Sequence, residues 1–252
     1  MSTPFFYLPP DAWGSAVFLD GQEAKHMSQV LRLTPGHTVG LLDGRGRTGV
    51  FCVRALEKKG VRLEMQSETF APEPKARAVV ALAFSKAVRR GFFLEKAVEL
   101  GAHGIWLWQG DHSQGRLSPD AAFSCQGQLI AGVKQCRNPW LPEVRVFSGG
   151  VSELIAHCST ADHRILPWEH QSDIPLLTPD MAGQNGLTVY VIGPEGGFSQ
   201  RELSALGAAN FCVVSLGARI LRCETAATLC LGLHWWSSQL PGKPDARPEA
   251  RP

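Results

Sequence analysis

The chain has 252 residues, 44% of them hydrophobic and 19% charged, and a formal net charge of +2. That length can bury a sizeable core in one or two domains, and so small a charge does not by itself mark a nucleic-acid binder. No apolar run approaches a membrane span, and the opening MSTPFFYLPPDAWG lacks the basic start and apolar core of a secretory signal, so a cytoplasmic protein without a membrane partner is expected. The seven cysteines are odd in number and scattered, with no C-x-x-C pair, which predicts buried free thiols in a reducing compartment.

From Phe5 to about Phe70 the pattern is of short strands: VFL at 17–19, TVGLLD at 38–43, TGVFCVRAL at 48–56 and VRLEM at 61–65. Turn signals at Thr34-Pro35-Gly36, Asp43-Gly44 and Lys59-Gly60 separate them, and Glu23 to Leu31 reads as the one helix. A small β-barrel fits this spacing, over residues 1–72. Its Gly44-Arg45-Gly46-Arg47-Thr48-Gly49 satisfies G-x-G-x-x-G, but a dinucleotide site needs a helix next, and Thr48 to Leu56 continues as strand. The loop is therefore either a hairpin with solvated charges or a place where Arg45 and Arg47 touch RNA phosphate. The excess of two cations lies within the first 77 residues, which hold 10 basic and 8 acidic side chains.

APEPKARA, from Ala71 to Ala78, has two prolines and no periodicity, so a linker and a domain boundary are expected there. Beyond it the pattern is strand alternating with helix: strand at 79–84, helix from about Gly91 to Leu100, strand at 105–108, helix from about Pro119 to Gln135, strand at 164–166. This alternation predicts an α/β domain over 76–240 with a parallel sheet covered on both faces. The last helix, about Thr225 to Leu240, carries Ala226, Leu229, Leu233 and Trp236 at helical spacing as candidate core, with Leu231, Trp235 and Trp236 available to a subunit interface. The tail from Pro241 is proline-rich and charged, and a disordered segment over 241–252 is expected.

Residues 189–226 concentrate the chemistry. Tyr190 to Ile192 closes an apolar strand, Gly193-Pro194-Glu195-Gly196-Gly197 permits close approach to the main chain, and Ser199 with Glu202 forms a capping box that opens a helix. A second strand, Phe211 to Leu216, runs into Gly217-Ala218-Arg219-Ile220-Leu221-Arg222-Cys223-Glu224-Thr225. Two loops at the carboxyl ends of neighbouring parallel strands are where open α/β sheets bind ligands. No H-E-x-x-H, G-x-S-x-G, P-loop or zinc-spaced Cys/His set occurs, and His103 and His112 read as ordinary loop histidines, so no metal is predicted.

At GPEGGFSQRE followed by LGARILRCETA the sequence resembles the bacterial ribosomal RNA small subunit methyltransferase E family, S-adenosylmethionine-dependent enzymes of the SPOUT superfamily that N3-methylate a uridine of 16S rRNA. HMSQVLRLTPGHTVGLLDGRG, FLEKAVELGA, the Asp111-His112-Ser113 loop and Gln135-Cys136 before Pro142 extend the likeness through nearly the whole chain. The resemblance implies a PUA-like β-barrel that binds RNA, an α/β domain with a deep trefoil knot, and a homodimer formed through that domain. It implies a cofactor pocket made by Leu166 with Pro167, by Ile192, Gly193, Pro194, Glu195, Gly196 and Gly197, and by Leu216, Gly217, Ile220, Leu221, Cys223 and Thr225. Uracil N3 is a poor nucleophile until its proton leaves, so cations or a base are needed: Arg222 for the developing anion, Glu224 to orient it or take the proton, Arg219 and Glu195 as further candidates.

Arg32, Arg45, Arg47, Arg89, Lys96 and Arg116 are the expected contacts to 16S rRNA or the small ribosomal subunit. The chain departs from the family in lacking an N-terminal Arg-x-Phe cation and in carrying Lys134, Ala218 and Cys223. Two other classes are open: a SPOUT methyltransferase for another RNA base or ribose, and a non-catalytic RNA-binding assembly factor.

Overall fold

The computed structural model describes residues 3–84, 87–168 and 174–240, and the side chains of 87–90 are outside that description. The proposed disordered tail at 241–252 and the Arg89 side chain therefore lie outside the described residues. Residues through Glu73 group with Ile130–Leu141 in one compact unit; Pro74–Leu129 and the chain from Pro142 form the other.

The first unit is a five-stranded sheet in the order β1-β3-β4-β5-β2, with β1 Phe5–Tyr7, β2 Ala16–Asp20, β3 Thr38–Leu42, β4 Arg47–Glu57 and β5 Gly60–Phe70. Register shifts between β4 and β5 at Val50/Phe51 and Val53/Ala55 add local twist and curl the sheet into a half-barrel. Phe6, Met27, Val39, Leu41, Phe51, Val53 and Leu63 fill it. The expected helix over 23–31 is α1, Gly21–Lys25, continued by a π-helical turn over His26–Val30. β1 escaped the sequence pattern because three successive aromatics show no alternation.

The G-x-G-x-x-G stretch is a hairpin. Asp43 Oδ1 accepts from the N–H groups of Arg45 at 2.7 Å and Arg47 at 3.0 Å, and strand β4 follows directly. Gly44 and Gly46 have φ of +75° and +91°, and a Cβ on either would collide with Leu141 or Trp140. The glycines serve the close approach of Pro139–Leu141 rather than a phosphate.

The second unit is a six-stranded parallel sheet in the order β11-β9-β10-β6-β7-β8. Its strands are β6 Ala76–Ala83, β7 Gly104–Trp108, β8 Glu143–Phe147, β9 His163–Pro167, β10 Gly186–Ile192 and β11 Cys212–Val214; its helices are α2 Ala87–Glu99, α4 Val151–His157, α5 Gln200–Ala208, α6 Cys223–Ser238 and the part of α3 Ala121–Cys136 before Ile130. β6, β7 and β10 are almost wholly buried, as a sheet covered on both faces requires. On one face Val79, Ala81, Trp106, Trp108, Val189 and Val191 pack with Val151 and Leu154 of α4 and Leu206 of α5. On the other, α6 lies against β6, β10 and α2. From β6 the chain proceeds outward to β7 and β8, whereas β9 and β11 lie beyond β10 on the opposite side, so the sheet has a switch point between β6 and β10.

The orientation of α6 corrects the sequence expectation. Its buried face is Cys223, Glu224, Ala227, Cys230, Leu231, His234 and Ser237, while Leu229 is 37% and Trp236 58% exposed. Leu231, grouped with the interface residues, is core. Tyr190 and His234 explain the choice. The His234 Nδ1 accepts from Gly183 N–H at 3.2 Å and lies 3.2 Å from the Tyr190 hydroxyl, which therefore donates to it. This buried pair turns the His234 side of the helix toward β10.

Candidate active site

A cavity of about 240 Å³ opens at the carboxyl ends of β9, β10 and β11. Three stretches of chain build it: Pro167 and Trp168 at the end of β9, Ile192 to Glu195 with Gly197 and Phe198 at the end of β10, and Leu216 to Cys223 (Ala218 excepted) with Ala226 of α6 after β11. The walls are mostly apolar, with Glu195, Arg219 and Arg222 as the charged members, the composition of a small-molecule pocket. Gly197 and Gly217 both have positive φ, +74° and +109°, and a Cβ on either would meet no atom within 4 Å. They leave main chain bare at the cavity.

The loop after β11 has unspent hydrogen-bonding capacity. Among the described residues the N–H and C=O groups of Leu216 and of Ala218 to Leu221 have no protein partner. Unpaired main-chain groups at a concave site are served by water or by a ligand. Ile220 is 82% exposed, and Arg219 and Arg222 are exposed without an ion pair among the described residues. Arg222 is also the N-cap residue of α6 in extended backbone.

The loop after β10 is held from behind. Glu202 is fully buried, yet both its carboxylate oxygens are satisfied: Oε2 accepts from Ser199 N–H at 2.7 Å, closing the capping box, and Oε1 from Asp111 N–H at 2.8 Å. Asp111 in turn accepts from the Ser199 hydroxyl at 2.6 Å and from Arg201 at 2.5 Å. The Arg201 guanidinium and then the Ser199 hydroxyl hold the Asp111 carboxyl below the usual carboxylate range. His112 Nδ1 lies 3.1 Å from the carbonyls of both Gly196 and Gly197; both are acceptors, so Nδ1 carries the proton and donates. Phe198 stacks on Trp108 with ring centroids 6.0 Å apart, and the Trp108 Nε1–H donates to Ile192 C=O at 3.2 Å. The Gly110–Ser113 loop is thus a clamp on the glycine loop.

Family models and relatives agree on what this arrangement belongs to. The RNA methyltransferase domain matches residues 72–235, and the RNA methyltransferase PUA domain matches residues 19–66. Ribosomal RNA small subunit methyltransferase E of Mesomycoplasma hyopneumoniae is 30% identical over 63% of this chain and 69% of its own length. The chain belongs to the ribosomal RNA small subunit methyltransferase E family. The Mycobacterium bovis protein of that name is 28% identical over 92% of this chain and 91% of its own. The crystal structure of the Neisseria gonorrhoeae family member bound to S-adenosyl methionine superposes with a TM-score of 0.81 at 27% identity, covering 91% of this chain and 95% of that one.

Within this family member the expected site residues separate into groups. Ile192, Gly193, Pro194, Glu195, Gly197, Leu216, Gly217, Ile220, Leu221, Cys223, Arg219 and Arg222 all line the cavity. Leu166 is core beneath it, Gly196 is taken up by the His112 contact, and Thr225 is an exposed residue of α6 outside the lining. Glu224 does not reach the cavity lining; it is 8% exposed and its Oε2 accepts from Cys223 Sγ at 3.3 Å. Burial first, then Glu224 and Glu195, push the Cys223 thiol up to about 12.

Sequence reasoning missed Trp168, Phe198 and Ala226 in the lining, and the clamp formed by Asp111, His112 and Arg201. Phe198 stood next to the glycine loop and could have been included on that ground; the clamp joins residues some 90 positions apart and left no local signal. Of the expected RNA contacts, Arg32, Arg45 and Arg116 are exposed, whereas Lys96 pairs with Glu99 at 2.8 Å. Arg47 is held between Trp13 and Phe70, 5.3 and 4.8 Å from their ring centroids, with Asp43 at 3.9 Å.

Proposed function

We propose that the cavity holds S-adenosylmethionine and that the protein methylates N3 of a uridine in the 16S rRNA of the small ribosomal subunit. The observation that carries this reading is a pocket with bare main chain on two sides and, lining it, two exposed arginines without an ion pair among the described residues. The cofactor of the N. gonorrhoeae relative supports the choice of methyl donor. The residues present fit it: Gly197, Gly217 and the free peptide groups of 218–221 would bind adenosine, and Ile192, Leu216, Ile220 and Leu221 would enclose its apolar parts.

S-adenosylmethionine supplies an electrophilic methyl group on a sulfonium. The chain's own task is to bring a nucleotide into line with it and to ease departure of the N3 proton. Arg222, with Arg219 beside it in the lining, stabilises negative charge developing on the uracil oxygens. Glu195 is the carboxylate within the lining that can accept the proton. Glu224 supports from below through Cys223.

Burial holds Cys223, the cysteine of the lining, as a thiol, so it is poorly suited to the nucleophilic attack on the ring that methylation at a pyrimidine carbon uses. N3 lies on the Watson–Crick edge, so the uridine must be unpaired or extruded to enter.

A homodimer belongs to the same proposal, since Leu229, Trp235 and Trp236 leave an exposed apolar face on α6; so do a knotted chain path and a cytoplasmic setting, in which the seven free cysteines stay reduced. Mass mapping of 16S rRNA from a strain lacking the protein tests the substrate. Loss of one N3-methyluridine is expected; loss of a different mark, or no loss, would sink the reading. Sedimentation of Trp236→Asp, expected as a monomer against a dimeric wild type, tests the assembly.

A further inference from the structure

β10 meets α6 along one face, and that face ends at the cavity. Thr188, Tyr190 and Ile192 alternate with Val189 and Val191; the valines pack toward α4 and α5, so the other three turn toward α6. Ile192 lines the cavity, and α6 brings Cys223 and Ala226 to the same lining. Beyond them the buried face of the helix continues with Ala227, Cys230 and Leu231. Small apolar side chains and thiols attract without direction, so this stretch alone would accept several rotations of the helix.

The far end of the same contact is polar. His234 Nδ1 accepts from the Gly183 N–H and from the Tyr190 hydroxyl, both at 3.2 Å, and the Tyr190 ring stands perpendicular to the imidazole. Gly183 has φ +63°, and a Cβ there would meet Ser237 Cβ at 2.7 Å and the His234 carbonyl at 2.9 Å. The loop before β10 thus presses bare main chain onto this turn of α6. Thr188, on the strand face of Tyr190, and Ser237, on the helix face of His234, are fully buried and extend the polar end. Hydrogen bonds are directional, and two donors from separate segments converging on one nitrogen select one rotation and one height of the helix.

We propose that His234 is a positioning residue for methyl transfer: held by Tyr190 and Gly183, it fixes the rotation of α6 and with it the places of Arg222, Cys223 and Ala226 at the cavity. The catalytic consequence rests on the methyltransferase reading; the rotation does not. Arg222 is the N-cap of α6, and its carbonyl accepts from the Ala226 N–H at 2.9 Å, so its backbone moves with the first turn. A rotation by about 20° carries Cα atoms at a radius of about 2.3 Å through about 0.8 Å, and the tip of an arginine further. Misplacing a group by about 1 Å can cost about a hundredfold in rate.

Three substitutions in the full-length protein test this, each assayed well below its own melting temperature so that folded molecules are compared. His234→Leu leaves the Gly183 N–H and the Tyr190 hydroxyl without their acceptor, His234→Asn puts a carbonyl oxygen in the place of Nδ1, and Tyr190→Phe removes one donor while keeping the ring. In single-turnover assays with saturating S-adenosylmethionine and rRNA, His234→Leu should be about a hundredfold slower, with S-adenosylhomocysteine bound about tenfold more weakly, and His234→Asn should recover most of both. Tyr190→Phe should be about threefold slower and add nothing in the His234→Leu background, because it acts through His234. Cys223 reads the rotation without cofactor: buried in the wild type, it should react with iodoacetamide about tenfold faster in His234→Leu. A lowered melting temperature with wild-type turnover, affinity and Cys223 reactivity would make the histidine merely structural and overturn the proposal, as would failure of Asn to rescue or full additivity of the two changes. Should His234→Leu not fold, Tyr190→Phe decides alone, and wild-type turnover and Cys223 labelling in it refute the proposal. A wild type that does not bind S-adenosylhomocysteine refutes the cofactor reading, and Cys223 labelling still decides the rotation.

Discussion

Replacing Glu202 by Gln changes one atom of a fully buried side chain and should be felt throughout the clamp. The carboxylate accepts from two main-chain donors, Ser199 N–H at 2.7 Å and Asp111 N–H at 2.8 Å, one on each oxygen. An amide has one oxygen, so its NH2 must face one of those donors and leave it buried without a partner. That costs about 1–3 kcal/mol. At about 2–4 °C per kcal/mol for a chain of this size, a 2 kcal/mol loss lowers the melting temperature by about 4–8 °C. Arg201→Gln, which breaks only the exposed, solvent-screened contact to Asp111, should lower the melting temperature far less. Thermal unfolding followed by near-ultraviolet circular dichroism at neutral pH measures both, and calorimetry should show weaker S-adenosylhomocysteine binding by Glu202→Gln because the glycine loop is less well held. A Glu202→Gln melting temperature within about 1 °C of wild type, or equal to that of Arg201→Gln, would refute the claim that the buried carboxylate organises this loop.

Arg222→Ala should lower turnover on rRNA by about 10²–10³-fold while S-adenosylhomocysteine affinity changes little, as single-turnover assays and calorimetry can show. Gly217→Ala puts a side chain on a lining residue at φ +109°, a conformation L side chains rarely adopt, and should weaken cofactor-analogue binding about tenfold by titration. Asp111 has a folded-state pKa below its unfolded value, so its stabilising effect is present above the unfolded value and is lost as pH falls through the folded one. The melting difference between wild type and Asp111→Asn should therefore be flat above about pH 5 and shrink in stronger acid. Cys223→Ser should retain most activity, and mass mapping after iodoacetamide at mild alkaline pH should find exposed Cys212 labelled and Cys223 spared.

What could be read from the sequence was what neighbouring residues decide among themselves. The glycine loop after β10, the Ser199–Glu202 capping box, the hairpin at Asp43–Gly49 and the βα alternation from β6 onward depend on backbone freedom, short hydrogen bonds and period, all local. Most of the cavity lining followed, because strand ends in a parallel sheet lie side by side.

Tertiary structure decided what local pattern leaves degenerate. α6 is apolar on several sides, so Leu229 and Trp236 were as eligible for the core as Ala227 and Leu231 until β6, β10 and α2 selected one face. The same rotation turned Glu224 inward and left Arg222 at the rim. Ile130–Leu141 joins the first unit through contacts to residues almost a hundred positions away, which no periodicity encodes. Asp111 and Glu202 meet for the same reason: a buried carboxylate must find its donors wherever the fold brings them.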